Sequence, residues 1–218
     1  MSELSVDKIT GKTGTGGSNS PLQFSGDTVT LGTGATIGTG ATISASLANA
    51  TFPAGHVLQC LSKFHGEPLS STSKASSDSF TTFTDFQIAI TPASGNKILI
   101  LVQTNVSGSN YNDPQPNLAL FRDSTKIGMG TSASSRIPVS VGVPAFNTSF
   151  HAAIADNVSI HFLDDPSANG STAFTYKVGL AIRGGGSGTA YINRPPTDSD
   201  SAEHSRASSS ITVMEIAQ

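Results

Sequence analysis

Phe174-Thr175-Tyr176-Lys177-Val178-Gly179-Leu180-Ala181-Ile182-Arg183 is the stretch that decides the fold class. Phe174, Tyr176, Val178, Leu180 and Ile182 recur at every second residue, with Thr175, Lys177, Gly179, Ala181 and Arg183 between them. A period of two puts the large apolar side chains on one face of an extended chain. Working outward, strand-like segments recur at 56–66, 80–90, 97–107, 116–122, 125–131, 146–154, 157–163, 188–194 and 209–216. Together with 173–183 they make about ten short strands separated by turn-rich segments, the spacing of an all-β sandwich or barrel. No stretch reads as a long amphipathic helix.

Two strands break the simple pattern. Ile98-Leu99-Ile100-Leu101-Val102 is apolar on both faces, as is the terminal Ile211-Thr212-Val213-Met214-Glu215-Ile216. One face of an antiparallel sandwich normally meets water, so a strand apolar on both sides needs cover that subunit contact would supply. Chain ends usually fray, and the apolar terminal strand is expected in a core or on an oligomer axis.

Composition excludes several classes. Of 218 residues only 12% are charged, about half the usual share, while Ser and Thr make up roughly a quarter. A net charge of −3 leaves no basic footprint for nucleic acid. No apolar run approaches the ~20 residues of a membrane span, and Met-Ser-Glu-Leu-Ser-Val-Asp lacks the basic start of a secretory signal. The single cysteine, Cys60, excludes an internal disulfide framework; in its strand-like segment it is expected to be a buried small apolar residue.

The first ~55 residues are thinner than the rest. Gly32-Thr33-Gly34-Ala35-Thr36-Ile37 is repeated at once as Gly38-Thr39-Gly40-Ala41-Thr42-Ile43, a hexapeptide period suited to short strands that turn often. A single chain of this composition buries too little surface to offset its ordering entropy. Three copies wrapped together, each supplying Val29, Leu31, Ile37, Ile43 and Leu47 inward, would bury enough; a floppy linker is the alternative. The expected organisation is an attachment segment at 1–22, a Gly/Thr-rich repeat stalk at 23–55 and a head domain at 56–218.

Loop lengths carry a further expectation. If successive strands alternate in direction, short connections at 91–96, 123–124, 155–156 and 184–187 fall at the end where the chain enters. Long ones at 67–79, 108–115, 132–145, 164–172 and 195–208 then gather at the far end, where binding surfaces sit. Those long loops hold Glu67, Asp78, Asp113, Asp164, Asp165, Asp198, Asp200 and Glu203 against Lys74, Arg136 and Arg206, so the far tip is expected to be acidic. Tyr111, flanked by Asn110, Asn112 and Asp113, offers a ring for a sugar face with amides and carboxylates for its hydroxyls. Arg194-Pro195-Pro196 stiffens the last long loop and lowers its ordering cost on binding. The candidate receptor-binding residues are therefore Tyr111, Asn112, Asp113, Arg136, Asp164, Asp165, Asp198, Asp200 and His204.

Catalytic and metal chemistry finds little support. His151 and His161 fall on neighbouring expected strands, where histidines on a half-buried face compete with an axial metal site. Asp164-Asp165 and the Asp198, Asp200, Glu203 cluster offer oxygen ligands for Ca²⁺ but lack an ordered calcium-loop pattern. Gly184-Gly185-Gly186-Ser187-Gly188 lacks the Lys-Ser/Thr of a phosphate loop and suits a hairpin connection. No paired-carboxylate groove for glycan cleavage is evident. The chain is expected to be non-enzymatic and without cofactors.

The chain resembles tail-fibre proteins of tailed bacteriophages, particularly of marine and cyanobacterial phages. Ser2-Glu3-Leu4-Ser5-Val6-Asp7-Lys8-Ile9-Thr10, the junction Ala50-Thr51-Phe52-Pro53-Ala54-Gly55-His56-Val57-Leu58-Gln59, Ser94-Gly95-Asn96-Lys97-Ile98-Leu99-Ile100, Ser159-Ile160-His161-Phe162-Leu163-Asp164 and Ser210-Ile211-Thr212-Val213-Met214-Glu215-Ile216 carry the likeness. The stalk and ten strands also resemble trimeric jelly-roll heads of the tumour-necrosis-factor and complement type, in which both chain ends lie at the base. The resemblance implies an all-β homotrimer with a ten-stranded antiparallel jelly-roll head. It would be held to other virion tail proteins by its N-terminal segment and would bind a host-surface glycan or protein with its tip. It further implies a virion tail component made in the host cytoplasm, with no nucleic-acid partner and no membrane span. A purely structural virion component, such as a head fibre or tail adaptor, and a glycan-cleaving fibre are the alternatives.

Overall fold

A computed structural model describes residues 52–109, 115–143, 155–184 and 188–218. The attachment segment, all but the last residues of the expected stalk, and the expected strand 146–154 lie outside them. The described strands are β1 (Val57–His65), β2 (Leu69–Ser71), β3 (Thr81–Ile90), β4 (Lys97–Gly108), β5 (Pro116–Arg122), β6 (Thr125–Ile127), β7 (Val141–Gly142), β8 (Asp156–Asp164), β9 (Phe174–Ile182), β10 (Ala190–Ile192) and β11 (Ser209–Ile216). The only helical turn among the described residues is a 3₁₀ turn at Ala75–Ser77. The short β2 and β7 have no counterpart among the expected strands, because two or three residues show no periodicity. The expected strand at 125–131 ends at Ile127, with Gly128 taking a positive φ of 59°.

The strands form two antiparallel sheets. In the first, β1, β11, β4 and β8 lie side by side, and β10 follows β11 along the same edge of β4, with β2 beyond it. In the second the order is β3-β9-β5, and β6 and β7 share the free side of β5. With β2, β7 and β10 set aside, the chain pairs from the outside in. β1 bonds β11, β3 bonds β9, β4 bonds β8 and β5 bonds β6. A ribbon paired in this nested way and folded into two facing sheets is a jelly roll.

The alternation in β9 works as its sequence demands. Tyr176, Val178, Leu180 and Ile182 are buried and face Ile98, Ile100 and Val102 of β4 and Ile211 and Val213 of β11 in one core. Each such fully buried aliphatic side chain contributes about 1.5–3 kcal/mol. Gly179 and Ala181, on the opposite face, are buried as well. Phe121 and Phe80, edge-to-face with centroids 6.3 Å apart, cover Gly179. The small residues of β9 make room for an aromatic lid on the outside of the second sheet.

The ends of the sandwich are set by β4. Lys97, Ile216 and Val57 lie at one end, here the base, where Gly55 N–H donates to Ala217 O and Ala217 N–H to His56 O. Chain entry and C-terminus are thus adjacent, and the apolar terminal strand is anchored between β1 and β4. The strand-parity expectation holds for the loop 91–96 and the turn at 123–124, which are at the base, for 67–79 at the far end, and for Gly108 and Pro116, the described residues on either side of the 108–115 connection, at that same end.

Beyond residue 155 that expectation fails. Asp156 pairs with Val106 and Asp164 with Ile98, so β8 runs from far end to base, and 165–173 is a base loop. β9 runs back to the far end, so the Gly184 connection is there and joins the two sheets; it is not a hairpin turn. Ile192 and Ser209 are both antiparallel to β4, so β10 and β11 run the same way. A parity count assumes every connection reverses the chain, but β6 and β7 run the same way across 128–140, which shifts the count before β8, and β10 and β11 run the same way across 193–208.

Candidate functional site

Three places gather functional side chains, and the outer face of the first sheet is the largest. Because β4 is apolar on both sides, Leu99 and Leu101 point away from the core and are only half-buried. Register puts Cys60, Met214, Leu99 and Leu163 in one row across β1, β11, β4 and β8. Ser62, Thr212, Leu101 and His161 form the next row toward the far end, and Phe64, Ser210, Gln103 and Ser159 the one after. Leu163 is 50% and Phe64 71% exposed. The row nearest the base is apolar, and the two rows beyond it mix hydroxyls and amides with Leu101, His161 and the exposed Phe64. Farther along, Asn157 Nδ2 donates to Asn105 Oδ1 and Asn105 Nδ2 to Ser208 O. Cys60 is exposed, contrary to the buried role expected of it, because odd and even positions of edge strand β1 face different sides.

The second place is at the base. Asp164, a candidate tip residue, is 5% exposed and points between the sheets. Arg122 Nη1 lies 2.9 Å from each of its carboxylate oxygens, and Tyr176 Oη donates to Oδ2 at 2.7 Å. Burial, and next the hydrogen bond to Asp164, push the Tyr176 phenol well above its usual range. This carboxylate ties β8 of one sheet to β5 and β9 of the other; it is not presented to a partner. Asp165 is exposed at the same end, 3.9 Å from Lys97. Both depart from the expected far position because β8 runs toward the base. Glu215, unremarked in the sequence, is a second buried carboxylate here. It accepts from Gln59 Nε2, Asn96 Nδ2 and Ala93 N–H at 2.6–2.7 Å. Polar residues inside a sandwich have no sequence signal of their own.

The third place is the loop 193–208, which leaves the first sheet in its far half. Its pivot, Asn193, has φ 64° and is fully buried. Its amide donates to His65 O and Glu67 O and accepts from Ser209 Oγ, which locks β1, β11 and the loop together. Arg194 stacks 4.1 Å over the Tyr191 ring and donates to Pro195 O and Pro196 O. Asp198 accepts two hydrogen bonds from Arg206 and lies 3.7 Å from Arg194. Those Arg206 bonds hold the Asp198 carboxyl below the usual carboxylate range. His204 Nδ1 meets Ser199 Oγ at 2.5 Å, and Asp200 is exposed. The structure brings Asp198, Asp200 and His204 together on one loop, but arginines from the same loop partner Asp198. Asp78 is likewise partnered, by Lys126. The described part of the far end is therefore less acidic than the residue count implied.

The other candidates are scattered. Arg136 is exposed on the excursion 128–140, bridged to Ala133, on the free side of β5. Tyr111, Asn112, Asp113 and His151 lie outside the described residues. His161 is exposed on the outer face beside Leu101, and His65 is a core histidine stacked on Phe86 at 5.6 Å. Among the described residues no three His, Cys, Asp or Glu side chains are gathered to hold a metal, and no helix is long and apolar enough to cross a membrane.

No protein-family model matches the chain, and no curated protein matches it. Solved structures aligned with it include that of infectious bursal disease virus Gt strain, at 9% identity and TM-score 0.34 over 73% of this chain and 42% of that one. The infectious bursal disease virus VP2 subviral particle aligns at 11% identity and TM-score 0.33 over 73% and 38%. The Gx strain aligns at 12% and 0.34 over 73% and 39%. Scores of this size fall short of a shared fold, and the aligned part spans only about two fifths of those chains.

Proposed function

We propose that this chain is a virion fibre protein: a homotrimer whose jelly-roll head binds a host-surface glycan or protein through its far-end loops. The row Cys60, Met214, Leu99 and Leu163 carries this reading, since it leaves an apolar band on a sheet that a lone chain would solvate. A trimer covers that band. The adjacency of Gly55 and Ala217 leaves the opposite end free for a receptor. Weak contacts at several tips together would gain ~10²–10⁴-fold in avidity. Attachment to the virion falls to the segment 1–22.

Light scattering of the full chain tests the assembly: a molar mass of three chains is expected, and one chain overturns it. Binding of the labelled protein to host cells tests the tip. Joint substitution of Tyr111, Asp198 and Asp200 by alanine should abolish binding, while alanine at Asp123 and Asn169 in base loops should leave it. The reverse pattern would sink the tip assignment. The internal pairing of Asp198 with Arg206 favours a second reading, a purely structural virion component. In that case the far-loop substitutions leave attachment unchanged.

A further inference from the structure

The base loop 165–173, which joins β8 to β9, contains Ala168-Asn169-Gly170-Ser171-Thr172 and with it the one Asn-Gly step in the sequence. Asparagine amides are chemically labile, and a glycine after them has no Cβ to shield its backbone nitrogen. Asn169, Gly170 and Ser171 are exposed, and Gly170 takes a φ of 82°. Gly95 N–H donates to Ala168 O at 3.0 Å, which anchors the loop just before this step. Asn169 Oδ1 accepts from Ser171 N–H at 3.0 Å, Ser171 Oγ at 3.1 Å and Thr172 N–H at 2.9 Å. Its Nδ2 donates to Thr172 Oγ1 at 2.9 Å. Gly170 N–H makes no hydrogen bond among the described residues.

We propose that Asn169 is a self-modifying site, at which the loop promotes conversion of the asparagine to aspartate and isoaspartate. Gly170 N gives its proton to solvent hydroxide and bonds to Asn169 Cγ. Nδ2 takes a proton from Thr172 Oγ1, which regains one from water, and the Cγ–Nδ2 bond breaks to release ammonia and leave a cyclic imide. Water then opens the imide. Breaking the bond from Cγ to Gly170 N leaves aspartate; breaking the one from the main-chain carbonyl carbon leaves isoaspartate. As negative charge builds on Oδ1, three donors already aim at it, the arrangement that stabilises a tetrahedral oxyanion. The attacking nitrogen and the amide sit on adjacent residues, so no bimolecular encounter is needed. Aspartate at this position keeps the acceptor role, whereas isoaspartate lengthens the backbone by a methylene beside the Ala168 anchor. Either product adds a negative charge to a loop that already carries Asp165. The site is independent of the virion reading.

Incubating the folded full chain in mildly alkaline buffer, with isoelectric focusing and peptide mass mapping over time, tests this. The acidic band is expected to grow with the OH-for-NH₂ mass difference placed first at Asn169. Asn169→Gln should remove that band, and Asn169→Asp should focus with the acidic band from the start. Thr172→Val keeps the backbone donors and loses the hydroxyl. It should slow the conversion about tenfold, less than a positioned proton donor usually contributes, because solvent competes at an exposed loop. Thr172→Ser should restore the rate, and Ser171→Ala, which removes one donor to Oδ1, should slow it. A circular dichroism spectrum matching the parent's checks that each variant is folded. Conversion first at another asparagine overturns the proposal. So does an unchanged or faster rate in Thr172→Val, which would mean that these bonds pin the amide away from Gly170 N instead of activating it.

Discussion

Removing Arg122 should cost this protein more than any surface charge would. In Arg122→Met, Asp164 keeps its place between the sheets with only the Tyr176 hydroxyl as partner. Both hydrogen bonds from Nη1 at 2.9 Å disappear. At an effective dielectric of 20, opposite charges 4 Å apart attract by about 4 kcal/mol. Losing one partner of a buried pair costs about 3–5 kcal/mol, because the other charge stays desolvated. Arg122 is 23% exposed, so water reaches part of the gap and the lower end, about 3 kcal/mol, is expected. Tyr176→Phe removes one hydrogen bond to a charged group, about 1.5–3 kcal/mol. Asp164→Leu strands both donors and should cost about 3 kcal/mol. The triple variant Arg122→Met, Asp164→Leu, Tyr176→Phe removes every charge and every orphaned donor. It should fall within about 2 kcal/mol of the parent, far short of the roughly 8 kcal/mol sum of the single losses. Urea unfolding followed by far-ultraviolet circular dichroism, at one fixed protein concentration, reads these values. A triple variant that loses the full sum would refute the reasoning. It would mean that the three side chains act through packing and not as one desolvated network.

Three other outcomes follow from the same geometry. A Cβ on Gly179 would lie 2.5 Å from Phe121 Cε2 and 2.9 Å from Phe80 Cβ. Gly179→Ala should thus lose about 1–3 kcal/mol in urea unfolding, with Phe121→Leu in the same chain recovering part of it; an unchanged midpoint would show that the lid gives way. The Tyr176 phenol titrates above its unfolded value of 10.0, so its contribution is complete below pH 10 and declines as pH rises beyond it. The slope should be about 1.4 kcal/mol per pH unit, and Tyr176→Phe should flatten it in unfolding curves taken from pH 9 upward. Asp198 is shifted the other way, so its contribution is present above the unfolded value of 3.8 and is lost as pH falls through the lower folded one. Carbon-detected NMR titration should find its midpoint raised toward the ordinary value in Arg206→Gln, and an unmoved midpoint would mean that the clamp does not form in solution.

The strand content was legible because periodicity is a local property. β9 and β11 have the alternation their sequences announce, and Leu99 and Leu101 face outward as a strand apolar on both sides requires. The candidate site was less legible. Asp164 looked like a free acidic loop residue, since nothing near it in sequence names Arg122 or Tyr176, 42 and 12 residues away. Asn193 and Glu215 are buried hubs whose partners come from up to 156 residues off, and a polar residue looks the same in sequence whether it faces water or a core.

The sequence by itself determined that the chain is all-β and that β4 and β11 have two apolar faces. It also determined that only 12% of the residues are charged, with a net charge of −3. Each of these follows from the spacing and kind of side chains along a single extended strand. Only the tertiary structure decided the direction of each strand, and with it which loops lie at the base. Direction depends on how short elements such as β10 pair with β4, and three residues hold too little periodicity to declare a partner. The same applies to the row Cys60, Met214, Leu99 and Leu163: four residues from four strands become neighbours through register alone.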